Sequence, residues 1–299
     1  MSWRTVVVSG IAKLDLKLDY LVVRGEVVQK VHLSEIAVLI LENTAISLTA
    51  ALLCELVKRK VKVILCDEKR NPISELTAYY GSHDTSIKVR NQAEWDIQAK
   101  GLVWTEVVSQ KIKKQRDLLF HLKRPQAAML DDYIAELEFN DITNREGHSA
   151  KVYFNALFGL EFTRAAECPV NAALNYGYSI LLSCFNREVV ANGYITQLGI
   201  HHSNTYNQYN LSSDLMEPFR PLIDMIVFKM DPRQFEIGEK RSIISLLNYE
   251  VTIEGKRQYV GNAIKIYCQS VFDALCQGDI GLIRFYQDEL QIYESGCIL

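Results

Sequence analysis

The feature that most constrains this chain of 299 residues is a change of hydrophobic period near residue 70. Before it the pattern is that of strands. A Val-rich segment, Trp3–Ser9, comes first, and Leu14, Leu16 and Leu18 then alternate with Asp15, Lys17 and Asp19, the period of a half-buried strand. Arg24-Gly25-Glu26 separates the apolar runs Tyr20–Val23 and Val27–Leu33 as a turn does, and Ile36–Leu41 and Ala45–Leu48 read as further strands. Thr49 is placed to cap a helix over Ala50–Lys60, whose Leu52, Leu53, Leu56 and Val57 share a face, and Val61–Cys66 closes the region as a buried strand. After a polar stretch running from Asp67 to Asp84, apolar residues recur at helical spacing. That spacing predicts helices over about 87–120, 125–138, 148–159, 171–192, 214–229, 239–247, 258–276 and 279–292. The fold class expected is α+β: a small N-terminal β-rich domain over 1–70, a linker over 71–86, and a larger all-α-helical domain over 87–299.

No apolar run approaches the roughly 18 residues of a membrane-spanning helix, and the opening residues lack the charged head, apolar core and cleavage site of a signal peptide. Seven cysteines without a C-x-x-C pair argue against both a disulfide framework and a zinc ribbon. They predict reduced, mostly buried thiols in a cytoplasmic protein. With 33 Lys and Arg against 36 Asp and Glu, the net charge of −3 offers no global attraction to nucleic acid, so any DNA contact must be local or carried by a partner. Two basic runs, Lys58-Arg59-Lys60 with Lys62, and Lys111 with Lys113, Lys114 and Arg116, read first as solvated faces and second as places where phosphates would be neutralised.

Chemistry-bearing residues are densest between Gly199 and Asp224. Two of the six histidines, His201 and His202, are adjacent there, and on a helix Asp214, Glu217, Arg220 and Asp224 would share one polar stripe. Pro218 and Pro221 are compatible with that helix only near its start, with Ser212 or Ser213 as N-cap. One imidazole with two or three carboxylates suits Mg2+ or Mn2+ and is a poor zinc site. The same acids equally suit a helix N-terminus, where carboxylates gain roughly 0.3–1 kcal/mol. A second segment, Asn140–Phe154, holds Glu146 and His148; by spacing alone Glu146 is a first-turn acid and His148 points away from it.

Together, Glu146 in N-R-E-G-H-x-A-x-x-Y-F, His202 three residues after Gly199, and N-L-x-S-D-x-M-E-P-F-R-P-L-x-D resemble the Cas1 family, the integrase of CRISPR adaptation. W-R-T-V-V-V at the start, H-L-S-E-I at 32–36, Cys66-Asp67 with Lys69-Arg70, and Tyr80-Gly81-Ser82-His83-Asp84 extend the resemblance over essentially the whole chain and direct it to the type II branch, II-A in particular. The resemblance implies a homodimer joined through the N-terminal domains, with two such dimers bridged by a Cas2 dimer in a four-to-two complex. It also implies a Cas9 effector and a II-A accessory adaptation protein as partners. The activity implied is joining of the 3′-hydroxyl ends of a short foreign DNA duplex to the leader-end repeat of a CRISPR array, with accompanying endonuclease activity. The family's ligands for Mg2+ or Mn2+ map onto Glu146, His202 and Glu217, the last a longer-armed form of an Asp common in relatives. His201, Asp214, Arg220 and Asp224 are then residues that support the ligands or touch DNA. Two other readings are a stand-alone metal-dependent DNA endonuclease of repair and a non-catalytic DNA-binding scaffold.

Overall fold

The computed structural model describes residues 4–79 and 81–287. Strand β1 (Arg4–Val8) pairs parallel to β5 (Ile36–Leu41), β5 parallel to β7 (Lys62–Cys66), and β7 antiparallel to β8 (Pro72–Leu76), giving a mixed sheet of order β1-β5-β7-β8. The apolar run I-A-V-L-I-L takes an interior position in this sheet, where both faces of a strand are covered. A second sheet of order β4-β3-β2-β6 is built from β2 (Lys13–Lys17), β3 (Tyr20–Arg24), β4 (Val28–His32) and β6 (Ser47–Leu48). The β2–β3 turn is made by Leu18 and Asp19, both at positive φ, so Leu18 leaves the strand that its alternation suggested and is exposed.

Helix α1 (Ala50–Lys58) begins where the sequence places it, with Thr49 accepting from the Leu52 N–H at 3.3 Å. It buries Leu52 and Leu56 against Val8, Leu14, Leu21, Leu33, Leu39, Leu41 and Val63 in a core of its own. The opposite face of the first sheet carries Val38, Ile40, Ile64 and Cys66, and these belong to the core of the helical region. The period-two pleat thus divides neighbouring residues of one strand between two cores.

The sheet does not stop at residue 70: β8 lies inside the segment read as a linker. Lys62, read as part of a solvated basic run, is buried and pairs with Glu75 of β8 at 2.5 Å. Arg59 is paired with Glu55 (2.8 Å) and with Asp19.

The helical region comprises α2 (Thr85–Ala93), α3 (Ile97–His121), α4 (Ala127–Ala135), α5 (Arg145–Phe158), α6 (Pro169–Ala191), α7 (Asn210–Met216), α8 (Arg220–Met230), α9 (Ile237–Ile244) and α10 (Val260–Gln277). One long helix expected over 87–120 is instead two, because Asp96 accepts from the Ala99 N–H at 2.9 Å and starts α3 afresh. The region is not all helical: an antiparallel hairpin, β9 (Glu250–Ile253) and β10 (Lys256–Tyr259), precedes α10, with its turn carried by Glu254 and Gly255 at positive φ. The helix expected over 279–292 is limited to a single 3₁₀ turn at Ile280–Leu282 among the described residues; 288–292 lie outside them. Of the cysteines, Cys66, Cys184 and Cys268 are buried, whereas Cys54 and Cys276 are exposed; Cys297 lies outside the described residues. Among the described residues no helix is long and apolar enough to cross a membrane.

Candidate active site

Helix α3 runs through the helical core, and two residues seven apart on it, Trp104 and Lys111, fall on one face. Both are buried. Around them converge the start of α5, the loop 199–202, and the junction between α7 and α8.

Glu146 occupies the first turn of α5. The chain enters that helix through Asn140, Asp141 and Asn144, all at positive φ, a costly run of conformations that side-chain bonds hold in place. The Asp141 carboxylate accepts from the N–H groups of Arg145 (2.6 Å) and Glu146 (3.1 Å), and Asn144 accepts from Gly147 (3.3 Å). A Cβ on Gly147 would lie 2.7 Å from the Asn144 Oδ1, so the cap requires a glycine there.

His202 is presented by Asp214. Through Oδ2 this fully buried carboxylate accepts from the Ile200 (2.6 Å) and His201 (3.0 Å) N–H groups; through Oδ1 it binds the His202 N–H (3.1 Å) and the His202 ring at Nδ1. The bond to Nδ1 leaves Nε2 as the nitrogen available to a ligand. Gly199 permits this loop: a Cβ there would meet the His202 carbonyl oxygen at 2.3 Å and Asp214 Oδ2 at 2.7 Å. The Asp214 hydrogen bond raises the His202 pKa against the opposing effect of burial, and the charges of Glu217 and Glu146 add to it. His201 takes a different direction, stacking on Trp104 with centroids 4.4 Å apart, and burial lowers its pKa.

Glu217 sits where the expected helix breaks. Pro218 forces a 3₁₀ turn at Glu217–Phe219, and α8 restarts at Arg220 with Pro221 in its first turn, where a missing N–H costs nothing. The polar stripe read across 214–224 is therefore not continuous, and its members have separate partners. Asp214 holds His202. Glu217 accepts from Arg220 Nε at 2.9 Å and from Lys111 Nζ at 2.5 Å. Asp224 is buried and accepts from the Tyr178 hydroxyl; burial pushes its carboxyl up to about 6. Arg220 also lies 4.6 Å over the Tyr178 ring.

Lys111 connects the two glutamates. Its ammonium donates to Glu146 Oε1 and to Glu217 Oε2 and is buried between them. Burial opposes its charge, but the two carboxylates outweigh burial and raise its pKa. The Glu217 carboxyl is likewise pushed up by burial, and the charges of Arg220 and Lys111 outweigh this and hold it below the usual range.

The second basic run is thus no solvated face. Lys111 is in the site, Lys114 is buried with its ammonium 4.2 Å over the Tyr286 ring, and Arg116 pairs with Asp117 and Asp131. Sequence reasoning missed Lys111, Trp104, Asp141 and Tyr178 as parts of the site.

Two carboxylates and one imidazole are hard and borderline donors that fit Mg2+ or Mn2+. The two carboxylates stand against the Lys111 ammonium, and among the described residues no three His, Cys, Asp or Glu side chains close on a common point at metal-binding range.

A family profile described as CRISPR associated protein Cas1 matches residues 6–252. A protein of Neisseria meningitidis serogroup C named CRISPR-associated endonuclease Cas1 is 33% identical over 262 residues, covering 85% of this chain and 86% of that one. Among solved structures, a casposase bound to integration product superimposes with a TM-score of 0.73 at 18% identity, over 93% of this chain and 91% of that one. A chain of a Cas6-RT-Cas1–Cas2 complex gives 0.70 at 17% identity, over 94% of this chain; this chain spans 36% of that longer one.

Proposed function

Because the chain belongs to the Cas1 family of CRISPR-associated proteins, we propose that it is a metal-dependent DNA integrase and endonuclease of spacer acquisition, with Glu146, His202 and Glu217 as ligands of Mg2+ or Mn2+. The observation that carries this reading is the convergence of Glu146 and Glu217, 71 residues apart in sequence, on one buried cation, Lys111. Glu217 and Lys111 are buried and charged together, Glu146 reaches the same ammonium from another helix, and buried charged clusters of this kind concentrate at functional sites. A bound divalent ion would supply Lewis-acid polarisation of the scissile phosphate and a lowered pKa for the attacking hydroxyl.

The chain's own residues have separable parts in this reaction. Asp214 holds the His202 ring through Nδ1 and so leaves Nε2 as the nitrogen that would ligate an ion, Asp141 and Asn144 set the direction of Glu146, and Arg220 steadies Glu217. With a DNA 3′-hydroxyl as nucleophile the site joins strands; with water it cuts them.

The partners follow the same reading: a DNA duplex, a Cas2 dimer bridging two Cas1 dimers, and, in the II-A branch, a Cas9 effector and an accessory protein. Dimerisation through the β-rich region is supported by exposed Val27 and Val28 beside or on edge strand β4, at 70% and 54% exposure.

The test mixes the protein and its Cas2 partner with a labelled short duplex, a plasmid carrying a leader and repeat, and Mn2+. It uses free and blocked 3′ ends, for wild type and His202→Ala. Label is expected at the leader–repeat junction only with free 3′-hydroxyls and intact His202. Nicking indifferent to the 3′ end would replace this reading with a repair endonuclease, and DNA binding without chemistry would replace it with a scaffold.

A further inference from the structure

Lys111 holds two of the three side chains assigned to the proposed ion. Its ammonium uses Glu146 Oε1 and Glu217 Oε2, and Arg220 uses the other Glu217 oxygen, so both Glu217 oxygens are engaged by cationic donors. A metal ion held by the same carboxylates would stand beside the Lys111 ammonium, and two cations that close in a largely buried site repel, so the ammonium weakens metal binding while it stays there. The ammonium is buried and cannot withdraw into an apolar interior without a new acceptor. A DNA phosphate brought to the ion by the strand-transfer reaction offers one within the same site.

We propose that Lys111 is a resident counter-cation that the metal displaces and a DNA phosphate then receives, so that metal and DNA bind cooperatively. The inference rests on Glu146, His202 and Glu217 being the metal ligands. Without DNA, Lys111 satisfies the carboxylates and keeps the site assembled but weak for metal. With DNA, the same ammonium becomes a phosphate contact close to the reacting centre.

Mn2+ binding to the full-length protein, followed by the paramagnetic resonance of the free ion, tests this with no turnover in the readout. The titration is run with and without a duplex lacking free 3′-hydroxyls, for wild type, Lys111→Met and Glu217→Gln. In wild type the duplex is expected to tighten Mn2+ binding on the order of tenfold, within the range of ~5–150-fold typical of coupled sites. Lys111→Met is expected to bind Mn2+ without DNA at least that much more tightly than wild type, with the effect of DNA largely lost. Equal or weaker DNA-free binding by a folded Lys111→Met would overturn the inference while leaving the ligand assignment intact, provided Glu217→Gln abolishes binding. Absence of Mn2+ binding in wild type with DNA would overturn the ligand assignment itself.

Should Lys111→Met fail to fold, reductive methylation of wild-type lysines followed by peptide mass analysis decides the matter. Labelling of Lys111 relative to exposed Lys123 must rise when Mn2+ is saturating and DNA is absent. Unchanged protection would mean that no displacement occurs.

Discussion

Replacing Asp214 by asparagine keeps the shape of the side chain and exchanges one oxygen for an NH2 group. Asp214 receives four donors, two on each oxygen: Ile200 and His201 N–H on Oδ2, and His202 N–H and Nδ1 on Oδ1. An amide oxygen can replace only one of these. If the oxygen takes the Oδ2 place, the NH2 faces the His202 N–H and ring. The backbone donor is then orphaned in a buried site, at about 1–3 kcal/mol, and Nδ1 can be satisfied only as an acceptor. That moves the ring proton to Nε2 and removes the lone pair a metal needs. If the oxygen takes the Oδ1 place, two backbone donors are orphaned and the cost is about 2–6 kcal/mol. Asp214→Asn is therefore expected to lose roughly 1–3 kcal/mol in denaturant unfolding and nearly all Mn2+ affinity in the presence of DNA, while His202 appears as the Nε2–H tautomer in nitrogen NMR. Wild-type Mn2+ affinity in a variant whose His202 keeps its Nδ1 proton would refute the view that Asp214 sets the ligating nitrogen.

Two glycine substitutions are expected to differ in severity. In Gly199→Ala the new methyl meets backbone, the His202 carbonyl at 2.3 Å, so the loop must move; a loss of ~1–3 kcal/mol and of strand joining is expected by thermal melting and the plasmid assay. In Gly147→Ala it meets only the end of the Asn144 side chain, which can swing aside at the loss of the α5 cap, about 1 kcal/mol, with Glu146 retained and activity reduced rather than abolished. Equal effects of the two would count against the distinction. For Asp224, burial raises the carboxyl from 3.8 to about 6. Its contribution to stability is fully present below pH 3.8 and is lost as pH rises through about 6, a change of about 3 kcal/mol at ~1.4 kcal/mol per unit. Asp224→Asn, which still accepts from Tyr178, should therefore gain on wild type progressively between about pH 4 and 7 and hold a constant difference above; a difference that does not vary with pH would remove burial as the cause.

The parts of this molecule legible in its sequence are those set by local chemistry. Thr49 announces α1 through a cap formed within three residues, and the run Ile36–Leu41 announces an interior strand through its own composition. Strand β8 escaped because P-I-S-E-L is short and polar, and only its pairing with β7 and the Lys62–Glu75 bond make it a strand. Glu146, His202 and Glu217, the ligands proposed above, were singled out by resemblance of motifs, not by spacing; spacing gave a continuous stripe that Pro218 interrupts. Lys111 was illegible for a physical reason. Among Lys113, Lys114 and Arg116 it looks like one more surface charge, and only Glu146 and Glu217, distant in sequence, make its burial tolerable.

The division of β5 and β7 between two cores has a consequence for synthesis. Val38, Ile40, Ile64 and Cys66 leave the ribosome long before α6, which supplies much of what covers them. At ~5–20 residues per second, the roughly hundred residues between imply ~5–20 s during which a nascent sheet, closed on one side by α1, shows an uncovered apolar wall on the other. Polar bonds that later fasten this wall, from Asn186 to Glu75 and from Arg187 to the Ala37 carbonyl, come from α6 itself and arrive no sooner. The nascent chain is thus most exposed to aggregation, and most in need of a chaperone, after its first sheet has formed and before its sixth helix has emerged.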